Sequence, residues 1–75
     1  MAELERIHQP HIYDQHLLLR FGDGRALALK KHRGIDSWAI EKIWPGGTTD
    51  GVNLPTDEIV RLHGLIETAI PALRG

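Results

Sequence analysis

The sequence has no cysteine, a single serine and few aromatic residues, and each shortage narrows the functions open to it. Without cysteine there is no disulfide and no thiolate nucleophile, which suits a reducing compartment. Ser37 is the one serine, and no histidine has a recognisable catalytic partner. Asp57 and Glu58 are better explained as helix-start charges than as an acid and base pair. We therefore predict that the protein is not an enzyme.

Long apolar runs are also missing. No stretch approaches the roughly 20 apolar residues of a membrane-spanning helix, and residues 1–12 carry acidic side chains where a signal peptide has an apolar core. We expect a cytoplasmic protein, nucleoid-associated if it is bacterial. The five histidines are scattered, without the close spacing of known metal sites, and the glycine-rich pieces lack phosphate-loop context. We expect neither a metal nor a cofactor.

The chain is short, which limits the core that it can form. Its 75 residues make one domain, and a chain of this size buries only about 60 per cent of its unfolded surface. Small domains that lack disulfides are often stabilised by self-association, so we expect a homodimer. We predict an N-terminal arm over residues 1–14 and a single domain over residues 15–75.

Alternation of apolar and polar residues predicts four strands. The first runs from Ile12 or Gln15 to Phe21, and the others lie at residues 25–31, 38–44 and 51–54. A helix follows, with Thr56 as its N-cap and with Pro71 ending or bending it near the preceding residue. Its apolar stripe needs a surface to cover, either the chain's own sheet or the same helix of a second copy. The predicted class is α+β, a four-stranded antiparallel curved β-sheet followed by one C-terminal α-helix.

Positive charge and both tryptophans concentrate in residues 29–44. The net charge of −1 argues against a general polyanion binder, but residues 16–44 hold six Lys or Arg against three Asp or Glu. On a strand, Trp38 and Trp44 share a face with Lys42 between them. Aromatic faces beside mobile cations suit single-stranded nucleic acid. The alternative is that the tryptophans are core or interface residues and that the basic run is a solvated loop.

Three segments together suggest a family. LKKHRG (residues 29–34) reads as a strand that enters a basic turn closed by glycine. IEKIW (residues 40–44) reads as a strand with an apolar, acidic, basic pattern that ends at an aromatic residue. GVNL (residues 51–54) leads directly into PTDE, the start of the predicted helix. Over residues 17–73 the sequence resembles the positive cofactor four family of transcriptional coactivators, including its small bacterial and phage members.

The resemblance implies a homodimer whose helices meet at the interface, through Ile59, Leu62, Ile66 and Ile70, and whose curved sheets form grooves for single-stranded DNA. The resemblance also implies that the DNA is bound by Lys30, Lys31 and Arg33 in the turn and by Lys42 and Trp44 in the groove. The strand pattern adds Arg20, Arg25 and Trp38. The chain departs from the family at Thr48, Thr49 and Asp50, where the family has basic residues, and it lacks a basic N-terminal tail.

Two functions therefore stay open. The first is a single-stranded DNA-binding homodimer acting in transcription regulation, with RNA as an alternative ligand and with transcription or replication proteins as further partners. The second is a protein-interaction module, or a phage or regulatory factor, that uses the same scaffold without binding nucleic acid. The slight net acidity and the missing basic loop favour the second.

Overall fold

The computed structural model describes residues 2–73 in full and the backbone of residue 74. It contains five strands and one helix: β1 (Glu3–Arg6), β2 (Tyr13–Arg20), β3 (Ala26–His32), β4 (Trp38–Ile43), β5 (Thr49–Leu54) and α1 (Thr56–Arg74). The strands form one antiparallel sheet in chain order, so every strand neighbours the one that follows it. The α+β class and the C-terminal helix are confirmed.

The prediction of four strands is wrong, because the segment expected to be an arm contributes β1. Leu4 pairs with Leu19 of β2, and the Glu5 carboxylate lies 3.2 Å from the Arg20 guanidinium. All four residues of β1 are exposed. An edge strand with no buried side shows no apolar alternation, which is the signal that revealed the other strands.

The strand register sorts the side chains onto two faces of the sheet, since directly opposed residues point to the same side. What we call the leucine face carries Leu4, Leu17, Leu19, Leu27, Leu29, Ile40 and Val52. What we call the alanine face carries Leu18, Arg20, Ala26, Ala28, Lys30, Ala39 and Glu41. The leucine face thus has an apolar centre but also carries Lys31, Lys42 and Asp50, whereas the alanine face mixes small apolar and charged residues.

The buried residues all lie on the alanine face: Leu18, Ala26, Ala28 and Ala39, each less than 9 per cent exposed. Ile7 and Ile43 pack against part of this cluster. Within residues 2–73 no large side chain is completely buried. A single copy of the chain therefore has a small core.

The first turn of α1 is tied to the loop between β3 and β4. The Thr56 amide donates to Asp36 Oδ1 at 2.9 Å, the Thr56 hydroxyl donates to the same oxygen, and the Trp38 indole donates to Thr56 Oγ1 at 2.9 Å. Thr56 is therefore not the cap that we predicted, because the capping oxygen comes from Asp36, 20 residues earlier. Pro71 does not end α1, which continues to residue 74.

Beyond its first turns, α1 leaves most of its apolar stripe uncovered. Ile59 and Leu62 are half-buried, whereas Ile66 is 46 per cent exposed and Leu73 is 83 per cent exposed. On the sheet, a shallow apolar hollow of about 290 Å³ lies over the leucine face. Among residues 2–74, no helix combines the length and the apolar character needed to cross a membrane.

Candidate nucleic-acid interface

The predicted binding residues do not form one surface. Trp38 and Lys42 lie on the leucine face, as expected from β4, and Lys31 pairs with Trp38 on that side. Arg20 and Lys30 lie on the alanine face. The remaining three lie outside the strands: Arg25 precedes β3, Arg33 is in the turn after β3, and Trp44 follows β4. The pattern of β4 was read correctly, but neighbouring strands present their cations on both faces.

Most of the predicted cations are paired with carboxylates of the same chain. The pairs are Arg20 with Glu5 at 3.2 Å, Arg25 with Asp23 at 2.7 Å, Lys30 with Glu41 at 2.6 Å and Lys31 with Asp14 at 3.4 Å. The first two pairs are about half exposed, so water screens them and a phosphate can compete with the carboxylate. Lys30 and Glu41 are less than 25 per cent exposed, so water screens their attraction less and the pair is harder to open.

The basic turn is well ordered by its own hydrogen bonds. The Lys31 ammonium donates to the carbonyl oxygens of His32 at 2.7 Å and Ile35 at 2.6 Å. The Arg33 amide donates to the Ile12 carbonyl, which joins the turn to the loop before β2. Gly34 has φ of 73°, a value that favours glycine, so the sequence signal for a turn was right. Lys31 thus serves the turn, while the exposed Arg33 makes no ion pair within residues 2–73.

The two tryptophans are held in different ways, and neither is sealed in a core. Trp38 is half-buried beside the start of α1, where Thr56 accepts its indole proton. Trp44 is 39 per cent exposed; its indole donates to Asp50 at 2.7 Å, and the Lys42 ammonium lies 3.8 Å from a Trp44 ring centroid. A cation over the ring occupies a surface on which a base would stack. In the unbound chain Lys42 and Trp44 therefore contact each other through this cation–π interaction.

Sequence reasoning missed an aromatic cluster on the alanine face. The Tyr13 ring centroid lies 5.2 Å from that of His16 and 5.5 Å from that of His32, and Lys30 Nζ lies 5.5 Å from the Tyr13 centroid. A β-bulge between Tyr13 and Gln15 brings Tyr13 opposite His32. Without the bulge, alternation would place Tyr13 with Gln15 on the leucine face.

Burial lowers the pKa of His16 below its usual value, and the Lys30 ammonium lowers it further. Glu41 and Glu5 raise the pKa of His16, but by less. The imidazole is therefore neutral at neutral pH, with Gln9 Oε1 lying 3.2 Å from its Nδ1. The ring is half-buried and meets the Tyr13 ring edge-on.

The four residues predicted to form a dimer interface lie on one stripe of α1. Ile59 and Leu62 face partly inward, while Ile66 is 46 per cent and Ile70 is 38 per cent exposed. The stripe therefore leads from the sheet into open solvent. Nothing else in residues 2–73 covers the outer half of the stripe, which leaves room for a second copy.

A metal centre finds no support in residues 2–74, where no three His, Asp or Glu side chains come together in a way that could hold an ion. No protein family model, curated protein or solved structure matches this chain.

Proposed function

We propose that the chain is a homodimeric, single-stranded nucleic-acid-binding protein that holds its ligand on the alanine face of the sheet and on the adjoining basic turn. The observation that supports this most directly is that aromatic and cationic side chains share the alanine face, where Tyr13, His16 and His32 cluster beside Lys30. Arg20 and Lys30 on this face are paired with Glu5 and Glu41 and become available to an anion when those pairs open. The apolar centre of the leucine face and the outer part of the α1 stripe are exposed in one copy, so they suit a protein partner.

Self-association follows from the uncovered apolar surface. Leu4, Leu27 and Val52 are each more than 40 per cent exposed on the leucine face, and Ile66, Ile70 and Leu73 are exposed on α1. Exposed apolar surface of this extent is unusual on a monomer and marks an interaction surface. A second copy would supply the same apolar helix and sheet, so that identical patches of the two copies pack against each other in a two-fold symmetric interface.

Binding on the alanine face would combine stacking with displaceable ion pairs. The carboxylate of Glu5 is exposed and competes weakly for Arg20. A phosphate would replace it, releasing the counterions bound to the nucleic acid, so affinity falls with salt. In the cell such a homodimer would act on exposed single strands in the cytoplasm or nucleoid. A coactivator-like role in transcription agrees with the family that the sequence resembles.

Fluorescence anisotropy of a labelled oligothymidine, measured over a series of salt concentrations, tests this function. We expect binding at low ionic strength that weakens steeply as salt rises, and a weaker complex with duplex DNA of the same length. Arg33→Gln should lower affinity several-fold, because Arg33 is exposed and does not pair with a carboxylate of residues 2–73. Arg61→Gln, an exposed change of equal charge on α1, is the control. Absence of binding at the lowest salt would contradict the proposal.

The pairing of the cations favours a second candidate, a protein-interaction module on the same scaffold. Four of the predicted binding cations already have a carboxylate partner, so the chain needs no polyanion to neutralise them. Such a module would use the leucine face and α1 to dock another protein. If the purified chain carries no nucleic acid and a nuclease-treated pull-down recovers one defined protein, this candidate replaces the first.

A further inference from the structure

We propose that Tyr13, His16 and His32, together with Lys30, form a stacking site for one unpaired nucleobase and its phosphate. The inference rests on the proposed nucleic-acid function and names the part of the alanine face that would recognise the ligand. It transfers the stacking role from the two tryptophans to a cluster that shares its face with Lys30.

The β-bulge is the first observation that carries the inference. It adds Asp14 to β2 without a partner in the ladder, so Tyr13 pairs with His32 while Gln15 pairs with Lys31. Bulges of this kind redirect a side chain and concentrate near functional sites. Here the redirected side chain is aromatic, and it lands beside two further rings. A strand without the bulge would have left His16 and His32 with no tyrosine between them.

The geometry of the rings is the second observation. Tyr13 meets His16 at an interplanar angle of 62° and His32 at 48°, so neither imidazole lies flat against the phenol ring. All three residues are half-buried, which fixes them while leaving part of each ring open to solvent. A hollow of about 240 Å³, lined by Tyr13 and His16 among others, adjoins these rings and gives a flat base room to enter.

Charge around the cluster is the third observation. Lys30 Nζ lies near the Tyr13 ring and is shared with Glu41, and Arg33 follows His32 directly along the chain. A base that stacks on this side of Tyr13 must displace Lys30 from the ring, and the displaced ammonium can then meet the phosphate. Glu41 on β4 and Glu5 on β1 act on His16, and Asp14 lines the same hollow as Tyr13 and His16, so a phosphate must compete with all three carboxylates. Modest affinity per nucleotide is therefore expected.

Binding of the full-length Tyr13→Leu variant to oligothymidine tests the site. Loss of a stacked ring is worth about 1 to 3 kcal/mol, so Kd should rise roughly 5- to 150-fold. Tyr13→Phe keeps the ring and should bind as the wild type does. Phe21→Leu, which removes a half-buried ring after the far end of β2, is the matched control and should leave Kd unchanged. An abasic oligonucleotide separates base from phosphate, because Tyr13→Leu should bind it as well as the wild type does.

Wild-type binding that Tyr13→Leu does not weaken would overturn the stacking site and leave the proposed function standing. Absence of wild-type binding would overturn both. Circular dichroism and thermal unfolding show whether the Tyr13→Leu variant folds. If it does not fold, His32→Leu removes a ring from the same cluster and should raise Kd in the same direction. A folded His32→Leu variant with wild-type Kd would contradict the inference.

Discussion

Lys30 and Glu41 form an ion pair across β3 and β4 on the alanine face, with 2.6 Å between Nζ and Oε1. The pair places the carboxylate beside the cation that the proposed ligand needs. Glu41→Gln should therefore release Lys30 and strengthen oligothymidine binding about three- to tenfold at low salt, with a steeper salt dependence. Anisotropy titrations measure both quantities.

Glu58→Gln is the control for this change, since it alters the net charge equally but lies at the start of α1. Affinity that rises equally in both variants would mean that overall charge, and not the release of Lys30, governs binding. Affinity that does not rise in Glu41→Gln would place the ligand away from the alanine face.

Ile66 tests the dimer. Ile66→Asp places a charge in the middle of the exposed α1 stripe, and burying that charge against a second copy is unfavourable. Self-association should weaken at least about tenfold, as measured by sedimentation equilibrium. Thr68→Asp introduces the same charge on the opposite side of the helix and should leave the dimer intact. Dimers of equal strength in both variants would show that α1 is not the interface.

Gly51 tests the packing of β5 on β4. A Cβ at Gly51 would lie 2.7 Å from the Ile40 carbonyl oxygen and 3.0 Å from Glu41 Cγ. Because one of these atoms belongs to the backbone, Gly51→Ala should lower the free energy of unfolding by about 1 to 3 kcal/mol. Chemical denaturation measures the change.

Gly64→Ala provides the matched control. A Cβ at Gly64 meets nothing within 4 Å, and the residue lies inside α1. The substitution should raise the free energy of unfolding by roughly 0.5 to 1 kcal/mol, because alanine loses less conformational freedom in a helix than glycine does. Equal effects of the two substitutions would contradict the close approach of β4 to Gly51.

His16 should make the protein sensitive to acid. Burial and Lys30 lower the pKa of His16 in the folded chain, so the unfolded chain binds a proton more readily. The resulting stability is present above the unfolded pKa and is lost as pH falls through that value toward the lower folded pKa. His16→Gln should therefore flatten the fall in unfolding free energy between neutral pH and about pH 5. Exchange of the exposed His11 is the control, and an unchanged pH profile in His16→Gln would contradict the pKa shift.

Local pattern was enough to predict β2 to β5 and α1, because each has an alternating or helical apolar period and glycine-rich turns between the strands. It could not predict β1, whose four exposed residues have no such period. Nor could it predict that Arg20 pairs with Glu5 or Lys30 with Glu41, since these pairs depend on the register between strands. The position of Tyr13 depends on a bulge of one residue, and a bulge reverses the face that alternation assigns.

Methyl NMR during titration with oligothymidine tests the central claim most directly, because the two faces carry different methyl groups. Ala28 and Ala39 report on the alanine face, while Leu29 and Ile40 report on the leucine face. We expect the alanine methyl signals to shift progressively with added oligonucleotide and the Leu29 and Ile40 signals to stay in place. Shifts confined to Leu29 and Ile40, or no shifts at either face, would contradict nucleic-acid binding on the alanine face.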